Sequence, residues 1–328
     1  MLKYSIKRLL LMIPVILGVL IVVFTISYFM PGDPVDSMMP VNYTQEMYDA
    51  KAAELGLDRP YIVQLGDYLW GVVTRFDLGT SYTTNRPVLE MIGTRVWVTV
   101  KIGTLSILFT VVFAMLFGII SAVKQYSALD YGVTTLSIVM AAMPNFWVSL
   151  MFILLFSSVL QWLPASGLTT WKHYILPVVC NGLMPLAAVT RMTRSSMLEV
   201  IRQDYVRTAR SKGLKEGAIV FRHCLKNALI PVITMVGNQF SNILGGSVVI
   251  ETIFNIPGMG SLLVSYISQR DYPGIMGITF ILSLFMCVIV LLVDIIFAVV
   301  DPRIRIQFAG NKNKKKRETP GTKVVNAA

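Results

Sequence analysis

The sequence predicts an all-α integral membrane protein with six transmembrane helices. Apolar residues make up 55% of its 328 residues and charged residues only 14%, whereas soluble domains carry about 25% charged residues. The mean hydropathy is +0.65. About 20 apolar residues are needed for a helix to cross the hydrocarbon core, and six stretches approach or exceed that length. They are about Leu9–Met30, Val96–Val123, Tyr131–Leu160, Tyr174–Thr190, Ala228–Ile250 and Ile275–Val300.

The first stretch follows Lys3, Lys7 and Arg8, as the apolar region of a signal peptide would. It is longer than a signal-peptide apolar region, and no small-x-small cleavage site follows it. We therefore expect an uncleaved first span with a cytoplasmic N-terminus. The third stretch is interrupted at Met143-Pro144-Asn145, where proline disfavours a continuous helix.

The charge distribution predicts the orientation. Residues 191–226 contain nine basic and three acidic residues, whereas residues 31–95 contain nine acidic and five basic ones. Because cytoplasmic loops are enriched in Lys and Arg, residues 191–226 and both termini are expected inside the cell. The same rule accounts for the formal net charge of +11, so the bilayer is an expected partner and nucleic acid is not.

Three units and a tail follow from this pattern. They are an N-terminal helix (1–30), an extracytoplasmic segment (31–95), a membrane core (96–307) with a cytoplasmic loop at about 191–227, and a basic tail (308–328). The tail is rich in Lys and Asn and has no apolar period, so we expect it to be disordered. Within the segment 31–95, residues Glu46–Leu57 are predicted to form a short helix that Arg59-Pro60 ends.

No catalytic activity is expected of this chain. Its three cysteines and two histidines lack metal-ligand spacing. The phosphate-binding pattern GxxxxGK[ST] does not occur. We therefore expect no catalytic residue, no metal and no cofactor in this subunit.

A basic block lies between the fourth and fifth stretches. Val206–Lys212 is predicted to be a short helix, and Gly213 can end it because glycine tolerates the left-handed C-cap conformation. Leu214, Ala218, Phe221 and Leu225 then recur at helical spacing, which predicts a second, amphipathic helix. The block is either a loop facing lipid headgroups or a projection that docks in a groove of a cytoplasmic partner.

Several polar residues lie inside the predicted spans. Four cluster in the fifth span: Asn238, Gln239, Ser241 and Asn242. They either hydrogen-bond between helices or line a substrate path. Asp294, in the sixth span, is expected to form an ion pair with a basic neighbour. Glu251, at the outer end of the fifth span, is expected to anchor the loop that follows.

The basic block resembles the coupling loop, or EAA loop, of ABC importer permeases. Ala209-Arg210-Ser211-Lys212-Gly213 matches its Ala-x-x-x-Gly core, and Arg207-Thr208 stand where Glu-Ala are usual. With Asn227-Ala228-Leu229-Ile230-Pro231, the block is similar to the form found in peptide-type permeases. The resemblance implies that the ATPase contacts Arg207, Thr208, Ala209, Arg210, Lys212, Gly213 and Leu214.

Further motifs along the chain resemble the first of the two permeases of dipeptide and oligopeptide systems. They are Met30-Pro31-Gly32-Asp33-Pro34, Leu55-Gly56-Leu57-Asp58-Arg59-Pro60, Asp77-Leu78-Gly79-Thr80-Ser81, Met143-Pro144-Asn145-Phe146-Trp147, Leu163-Pro164-Ala165-Ser166-Gly167, Glu251-Thr252-Ile253-Phe254, Pro257-Gly258-Met259-Gly260, Arg270-Asp271-Tyr272-Pro273 and Asp301-Pro302-Arg303-Ile304-Arg305. One departure is Phe76, which stands where this family has glycine.

The resemblance implies a type I ABC importer permease for dipeptides or oligopeptides. Its expected partners are a second homologous permease, two cytoplasmic ATPases that bind ATP, and an extracytoplasmic substrate-binding protein. A nickel chelate or glutathione is an alternative cargo for the same architecture. A stand-alone secondary transporter or channel is an alternative of another class, which would favour an inverted repeat and ionisable residues near the midplane. A membrane anchor without transport activity would explain the spans but not the basic block.

Overall fold

The computed structural model describes residues 2–40 and 42–300. Across these residues regular structure is helical, apart from one isolated bridge between Thr80 and Pro87. The helices are α1 (Leu2–Phe29), α2 (Pro34–Met38), α3 (Gln45–Leu55), α4 (Tyr61–Arg75), α5 (Val88–Gly93), α6 (Val96–Val123), α7 (Ala128–Ala142), α8 (Asn145–Phe152), α9 (Lys172–Ile201), α10 (Asp204–Ser211), α11 (Glu216–Ala218), α12 (Leu225–Ile253), α13 (Met259–Gln269) and α14 (Tyr272–Val300). The predicted tail 308–328, the motif Asp301–Arg305 and the end of the core unit 96–307 lie outside the described residues.

Five helical stretches are long and apolar enough to cross a membrane. They are Arg8–Phe29, Val88–Val123, Lys172–Ile201, Glu216–Gly245 and Tyr272–Ile296. A sixth exists if the bent pair α7 and α8 is counted as one broken span. The predicted all-α membrane fold is thus confirmed, with five spans or six depending on that pair.

The bend in the third span is produced by Met143 and Pro144. The two helical parts meet at 104°. Pro144 has no N–H and disfavours the helical conformation in the residue before it, and Met143 is accordingly extended, with φ −86° and ψ 128°. After α8 the chain continues as a π-helical turn, Ile153–Val159. Pro231, by contrast, lies inside α12 without interrupting it.

Helix α9 is longer than predicted, because it continues past Thr190 to Ile201. Its 30 residues span roughly 45 Å, against a hydrocarbon core of about 30 Å. The predicted end was placed where Arg191 and Arg194 begin. Arginine favours helix nearly as much as leucine does, so these charges limit the membrane and not the helix.

The segment 31–95, which is predicted to be extracytoplasmic, contains more helix than predicted. Helix α3 ends at Gly56, whose left-handed conformation (φ 68°) stops it three residues before Arg59-Pro60. Helix α4 was missed, although Tyr61, Leu65, Tyr68, Leu69 and Val72 recur at helical spacing and pack in the apolar cluster of α1 and α14. That period was the available signal for it.

Phe76 ends α4 in the left-handed conformation, with φ 52°. This explains why glycine is expected there, since left-handed backbone costs other residues about 1–2 kcal/mol. The ring of Phe76 packs edge-on against Phe280, with centroids 5.7 Å apart. The chain thus accepts backbone strain at a position where the side chain finds a partner on α14.

Helix α9 forms the centre of the membrane part, because α6 packs along it and α12 packs against both. Helix α1 packs on α14 at the side of this group. The expected ion pair of Asp294 joins these two helices: Oδ2 of Asp294 lies 3.0 Å from Nη1 of Arg8. That prediction is confirmed.

Glu251 holds the turn between α12 and α13, as predicted. Its side chain is fully buried, and its carboxylate accepts hydrogen bonds from Thr99 Oγ1 (2.7 Å) and the backbone N–H groups of Gly260 (2.7 Å) and Ser261 (3.1 Å). Thr99 Oγ1 in turn accepts from the N–H of Met259 at 2.9 Å. The first N–H groups of a helix have no partner inside it, so one carboxylate fixes the start of α13 and ties it to α6.

We expect Gly260→Ala to loosen this turn. An added methyl would lie 2.5 Å from the Cα of Val248 and 2.9 Å from the Glu251 carboxylate, so α13 would have to move away from α12. Overpacking of this kind costs about 1–3 kcal/mol. Denaturant unfolding of the purified protein in detergent micelles measures the loss.

Gly245→Ala in α12 is the matched control, since nothing lies within 4 Å of its added methyl. Alanine also favours helix over glycine by about 1 kcal/mol. If both variants unfold alike, the contact between α12 and α13 does not constrain the fold.

Candidate functional site

The predicted basic block folds as a compact knob between α9 and α12, which we define as residues 202–224. Helix α10 ends at Ser211, and Gly213 has φ +75°. Its N–H donates to Arg210 O (2.9 Å), while the N–H of Leu214 donates to Ala209 O (3.4 Å). This pair of bonds is the Schellman motif, which closes helices at a left-handed glycine. The predicted stop at Gly213 is confirmed.

The knob is seated on its own chain. Val206 and Ala209, one turn apart on α10, are buried against Met197 of α9 and against Ile219 and Cys224. Alanine at 209 therefore permits close approach within this subunit. Of the seven predicted ATPase-contacting residues, Ala209 faces inward. The other six are exposed: Arg207, Thr208, Arg210, Lys212, Gly213 and Leu214.

The second half of the knob differs from the prediction. It is not a separate helix with a buried face at Leu214, Ala218 and Phe221, which are all exposed. Helix α11 passes into a π-helical turn, Ile219–Cys224, that runs directly into α12. The wider winding of a π-turn displaces the expected 3.6-residue period, so Ile219, Val220 and Cys224 form the buried face.

An ion pair spans the Gly213 turn. Arg210 Nε and Nη2 donate to the two carboxylate oxygens of Glu216, at 2.8 and 3.3 Å. The hydrogen bonds to Glu216 raise the pKa of the Arg210 guanidinium above its ordinary value. Both side chains are largely exposed, so solvent screening leaves the pair little stabilising energy. It orients the turn more than it stabilises the fold.

The outer surface of the knob combines positive charge with apolar side chains. Arg207, Lys212 and Arg222 are exposed, and Leu214 and Phe221 are exposed by 43% and 65%. Exposed apolar groups ringed by charge mark interaction surfaces, and basic groups favour an acidic counterpart. The arrangement is suited to docking in an acidic-rimmed groove.

An ion pair with a buried carboxylate lies beneath the knob, and sequence reasoning missed it. Arg194 of α9 donates from Nε and Nη2 to the two oxygens of Asp130, at 2.7 and 2.8 Å. Ser121 Oγ and the N–H of Tyr126 also donate to this carboxylate. Asp130 is 2% exposed. The pair ties the end of α6 and the start of α7 to α9, one turn before Met197.

The predicted path residues separate onto different faces of α12. Gln239 and Asn242 are hydrogen-bonded to each other (3.3 Å) and line a cleft of about 400 Å³. Ser241 is buried, one turn beyond Gly237, whose added methyl would meet Val293 of α14. Asn238 is exposed and does not line the cleft. The structure thus brings together two of the four.

The cleft also contains polar residues that sequence reasoning missed. They are Asn145 at the start of α8, and Asn181 and Arg191 of α9. Asn145 belongs to the Met143-Pro144-Asn145 motif, so the 104° bend is what brings it to the cleft. Asn181 was missed because it is a single polar residue within an apolar stretch of sequence.

On the predicted outer side, two distant motifs meet at the rim of a cavity of about 840 Å³. Asp33 caps α2 by accepting from the N–H of Val35 (2.8 Å), and Tyr48 donates its hydroxyl to the same carboxylate. That bond raises the pKa of Tyr48 to about 12. Tyr272 donates to the carbonyl of Gly32 at 3.0 Å, across 240 residues of chain.

Comparison with known families gives two matches. The family described as binding-protein-dependent transport system inner membrane component matches residues 114–306. The N-terminal region of such membrane components matches residues 1–103. Together the two matches leave only the segment 104–113 and the last residues uncovered.

Individual relatives agree with the family match. The chain is 39% identical to the dipeptide transport system permease protein DppB of Alkalihalophilus pseudofirmus, over 93% of this chain and 100% of that protein. It is 41% identical to the glutathione transport system permease protein GsiC of Pectobacterium atrosepticum, over 93% and 99%. Among solved structures, the methionine ABC transporter MetNI in an inward-facing conformation is similar in fold, with TM-score 0.53 and 17% identity over 65% of this chain and 97% of that one.

We expect the pair of Asp130 and Arg194 to be essential to stability. Arg194→Gln leaves the buried carboxylate of Asp130 without its partner, which costs about 3–5 kcal/mol. Asp130→Asn leaves the partly exposed Arg194, which water can solvate, so it should cost less. The double variant should lose less than the sum, with a coupling of about 0.5–3 kcal/mol. Denaturant unfolding in micelles of the four proteins of this cycle gives the coupling.

The exposed pair of Arg210 and Glu216 is the control cycle. Its variants Arg210→Gln and Glu216→Gln should each change the free energy of unfolding little, because both side chains are solvated. Equal losses in the two cycles would contradict a special role for the buried pair.

Proposed function

The chain belongs to the family of binding-protein-dependent transport system inner membrane components, and from this premise we propose that it is the permease subunit of an ATP-driven importer of dipeptides or oligopeptides. The observation that carries the proposal is the knob, an exposed basic surface on a buried base. Similarity to a dipeptide permease over the full length of that protein supports the cargo class. Similarity to a glutathione permease makes glutathione the second candidate.

The proposed partners follow from this role. A second permease completes the path, two cytoplasmic ATPases bind and hydrolyse ATP, and an extracytoplasmic protein delivers the peptide. This chain itself is a transport component and supplies no hydrolytic group. The seven residues Arg207, Thr208, Ala209, Arg210, Lys212, Gly213 and Leu214 form or support the ATPase contact, with Ala209 acting from beneath.

The proposed orientation puts both termini and the knob in the cytoplasm of a bacterial inner or plasma membrane. The excess of basic residues in 191–226 and of acidic residues in 31–95 supports it. The proposed division into 1–30, 31–95 and 96–307 is supported by the four short helices that lie between α1 and α6.

The knob can transmit force because it is continuous with two helices of the path. Helix α10 follows α9 after Arg202 and Gln203, and the π-turn Ile219–Cys224 runs without a break into α12. Both α9 and α12 line the polar cleft. Closure of the ATPases, acting on the knob, therefore moves two cleft walls at once. ATP drives the change because it binds the two states with different affinity.

Uptake into proteoliposomes tests the proposed function. The complete transporter, purified from its native membrane, is reconstituted with ATP inside and its binding protein outside, and radiolabelled tri-alanine is added. We expect tri-alanine to accumulate only when ATP and the binding protein are both present. Uptake by this chain without an ATPase would support a stand-alone transporter instead, and uptake of glutathione alone would select the second cargo.

We expect Gly213→Ala to uncouple ATP hydrolysis from transport. The added methyl meets nothing within 4 Å, but φ is +75°, a conformation that costs alanine about 1–2 kcal/mol. That strain corresponds to roughly a tenfold loss of the intact turn. Tri-alanine uptake per ATP hydrolysed should fall, and Gly213→Asn should be milder because asparagine tolerates this conformation better.

Gly217→Ala, four residues further along the same knob, is the matched control. It too has open space around the added methyl, without a positive φ. Transport that falls equally in Gly213→Ala and Gly217→Ala would indicate surface contact, and normal transport in both would refute the role of the turn.

A further inference from the structure

The polar cleft contains a buried hydrogen-bonding group that nothing in the described chain satisfies. Asn181, in the middle of α9, is 1% exposed. Its Nδ2 makes no hydrogen bond within the described residues. Buried polar groups are nearly always paired, because leaving a donor unpaired loses its hydration without compensation. Asn181 lines the cleft, and rotation of its carboxamide would turn this donor toward a molecule bound there.

Arg191 gives the cleft a positive end. It lies ten residues after Asn181 on α9, which separates the two by roughly 15 Å along the helix axis. Arg191 is exposed, and no hydrogen bond or ion pair of its side chain is found among residues 2–40 and 42–300. None of the residues that line the cleft is acidic. Its guanidinium is therefore available to an anion.

The remaining polar groups of the cleft come from two other helices. Gln239 and Asn242 face the cleft from α12, and Asn145 faces it from the start of α8. Carboxamides both donate and accept hydrogen bonds, as peptide backbone groups do. The other walls are small or apolar, at Ala141, Met184, Pro185, Ala188 and Ile243. The carboxamides can hydrogen-bond to a peptide backbone, and the small or apolar walls do not select particular side chains.

The dimensions favour a short peptide. An extended chain covers about 3.3–3.6 Å per residue, so roughly 15 Å, less the few ångströms that the Arg191 side chain reaches, corresponds to about three or four residues. A guanidinium binds a carboxylate through two parallel hydrogen bonds. We propose that the cleft is a transit site that recognises the peptide backbone through Asn145, Asn181, Gln239 and Asn242 and its C-terminal carboxylate through Arg191. The inference rests on the proposed function, because it takes the cargo to be a peptide.

The orientation of the peptide follows from this assignment. Arg191 lies toward the knob end of α9 and Asn181 toward the predicted outer side, so the C-terminus points to the cytoplasm. The site would accept peptides of varied sequence, since no side-chain pocket is required. A peptide without a free carboxylate would bind weakly.

Thiol protection tests this site without relying on transport or on the binding protein. Met184 lines the cleft and is 46% exposed. The complete transporter that carries Met184→Cys is labelled with a maleimide. Labelling of the transporter without this substitution gives the background. We expect tri-alanine to slow labelling of Cys at this position, and tri-alanine amide to need a roughly tenfold or higher concentration for the same effect, because the amide lacks the charged bonds to Arg191.

Two arginine variants of the labelled protein complete the test. Arg191→Gln should abolish the difference between acid and amide. Arg75→Gln, which removes an exposed charge at the end of α4 away from the cleft, should preserve the difference. Asn181→Leu should weaken protection by both peptides alike.

The outcomes separate this inference from the proposed function. If tri-alanine and tri-alanine amide protect the Met184→Cys protein equally while Arg191 is present, the role of Arg191 is overturned. If neither peptide slows labelling, the transit site is overturned. The same holds if the maleimide does not label the protein at all because a second permease covers the cleft. If in either case ATP-dependent uptake of tri-alanine persists, the proposed function stands and only the site is lost.

Discussion

The ion pair between the buried Asp130 and Arg194 is the constraint on which the part of the structure around the knob depends. The Asp130 carboxylate, if unpaired in the protein interior, would cost several kcal/mol. Two parallel bonds of 2.7 and 2.8 Å also restrict sliding and rotation of α9 against α7. Because Met197 lies one turn beyond Arg194 and packs under α10, the pair fixes the platform on which the knob is seated. If this platform were loose, a displacement of the knob would not be transmitted to α9.

Buried carboxylates have the same structural role at two other reversals of the chain. Glu251 satisfies the N–H groups at the start of α13. Asp271 accepts from Ser81 Oγ (2.5 Å) and Thr83 Oγ1 (2.9 Å), joining the loop after α4 to the start of α14. Chain reversals expose N–H groups that no helix can satisfy, and near a bilayer water cannot be relied on to do so. A carboxylate offers about four acceptor sites. These acids therefore stabilise reversals and are separate from the polar groups of the cleft.

The features that the sequence predicted are those set by local chemistry. Hydropathy located the spans, and α6 coincides with its predicted bounds, Val96–Val123. The turn at Gly213 was predictable because glycine tolerates the left-handed backbone conformation. The end of α9 was misplaced because charge reports where the membrane stops, while helix continues for as long as backbone bonds and propensity allow. The buried face after Gly213 was misassigned because a π-turn changes the period on which the assignment relied.

The polar cleft shows why site residues resisted prediction more than elements did. Gln239 and Asn242 were recognisable as polar residues in an apolar span, but Ser241 and Asn238 carried the same signal and face elsewhere. Which face of α12 meets the cleft is decided by its packing against α9 and α14, and sequence spacing alone does not contain that orientation.

The connectivity of the knob links this cleft to the proposed ATPase contact. Arg191 and Arg194 stand one turn apart on α9, yet the first is exposed and carries no ion pair in the described structure, whereas the second is held by Asp130. A displacement of the knob acts on α9 beyond Arg194, and the ion pair makes α6 and α7 move with it. Since α8 follows the bend at Pro144, it can lag behind that movement and change the width of the cleft between Asn145 and Asn181. The break at Pro144 is thus the place where movement of the helix ends near the knob can change the width of the cleft.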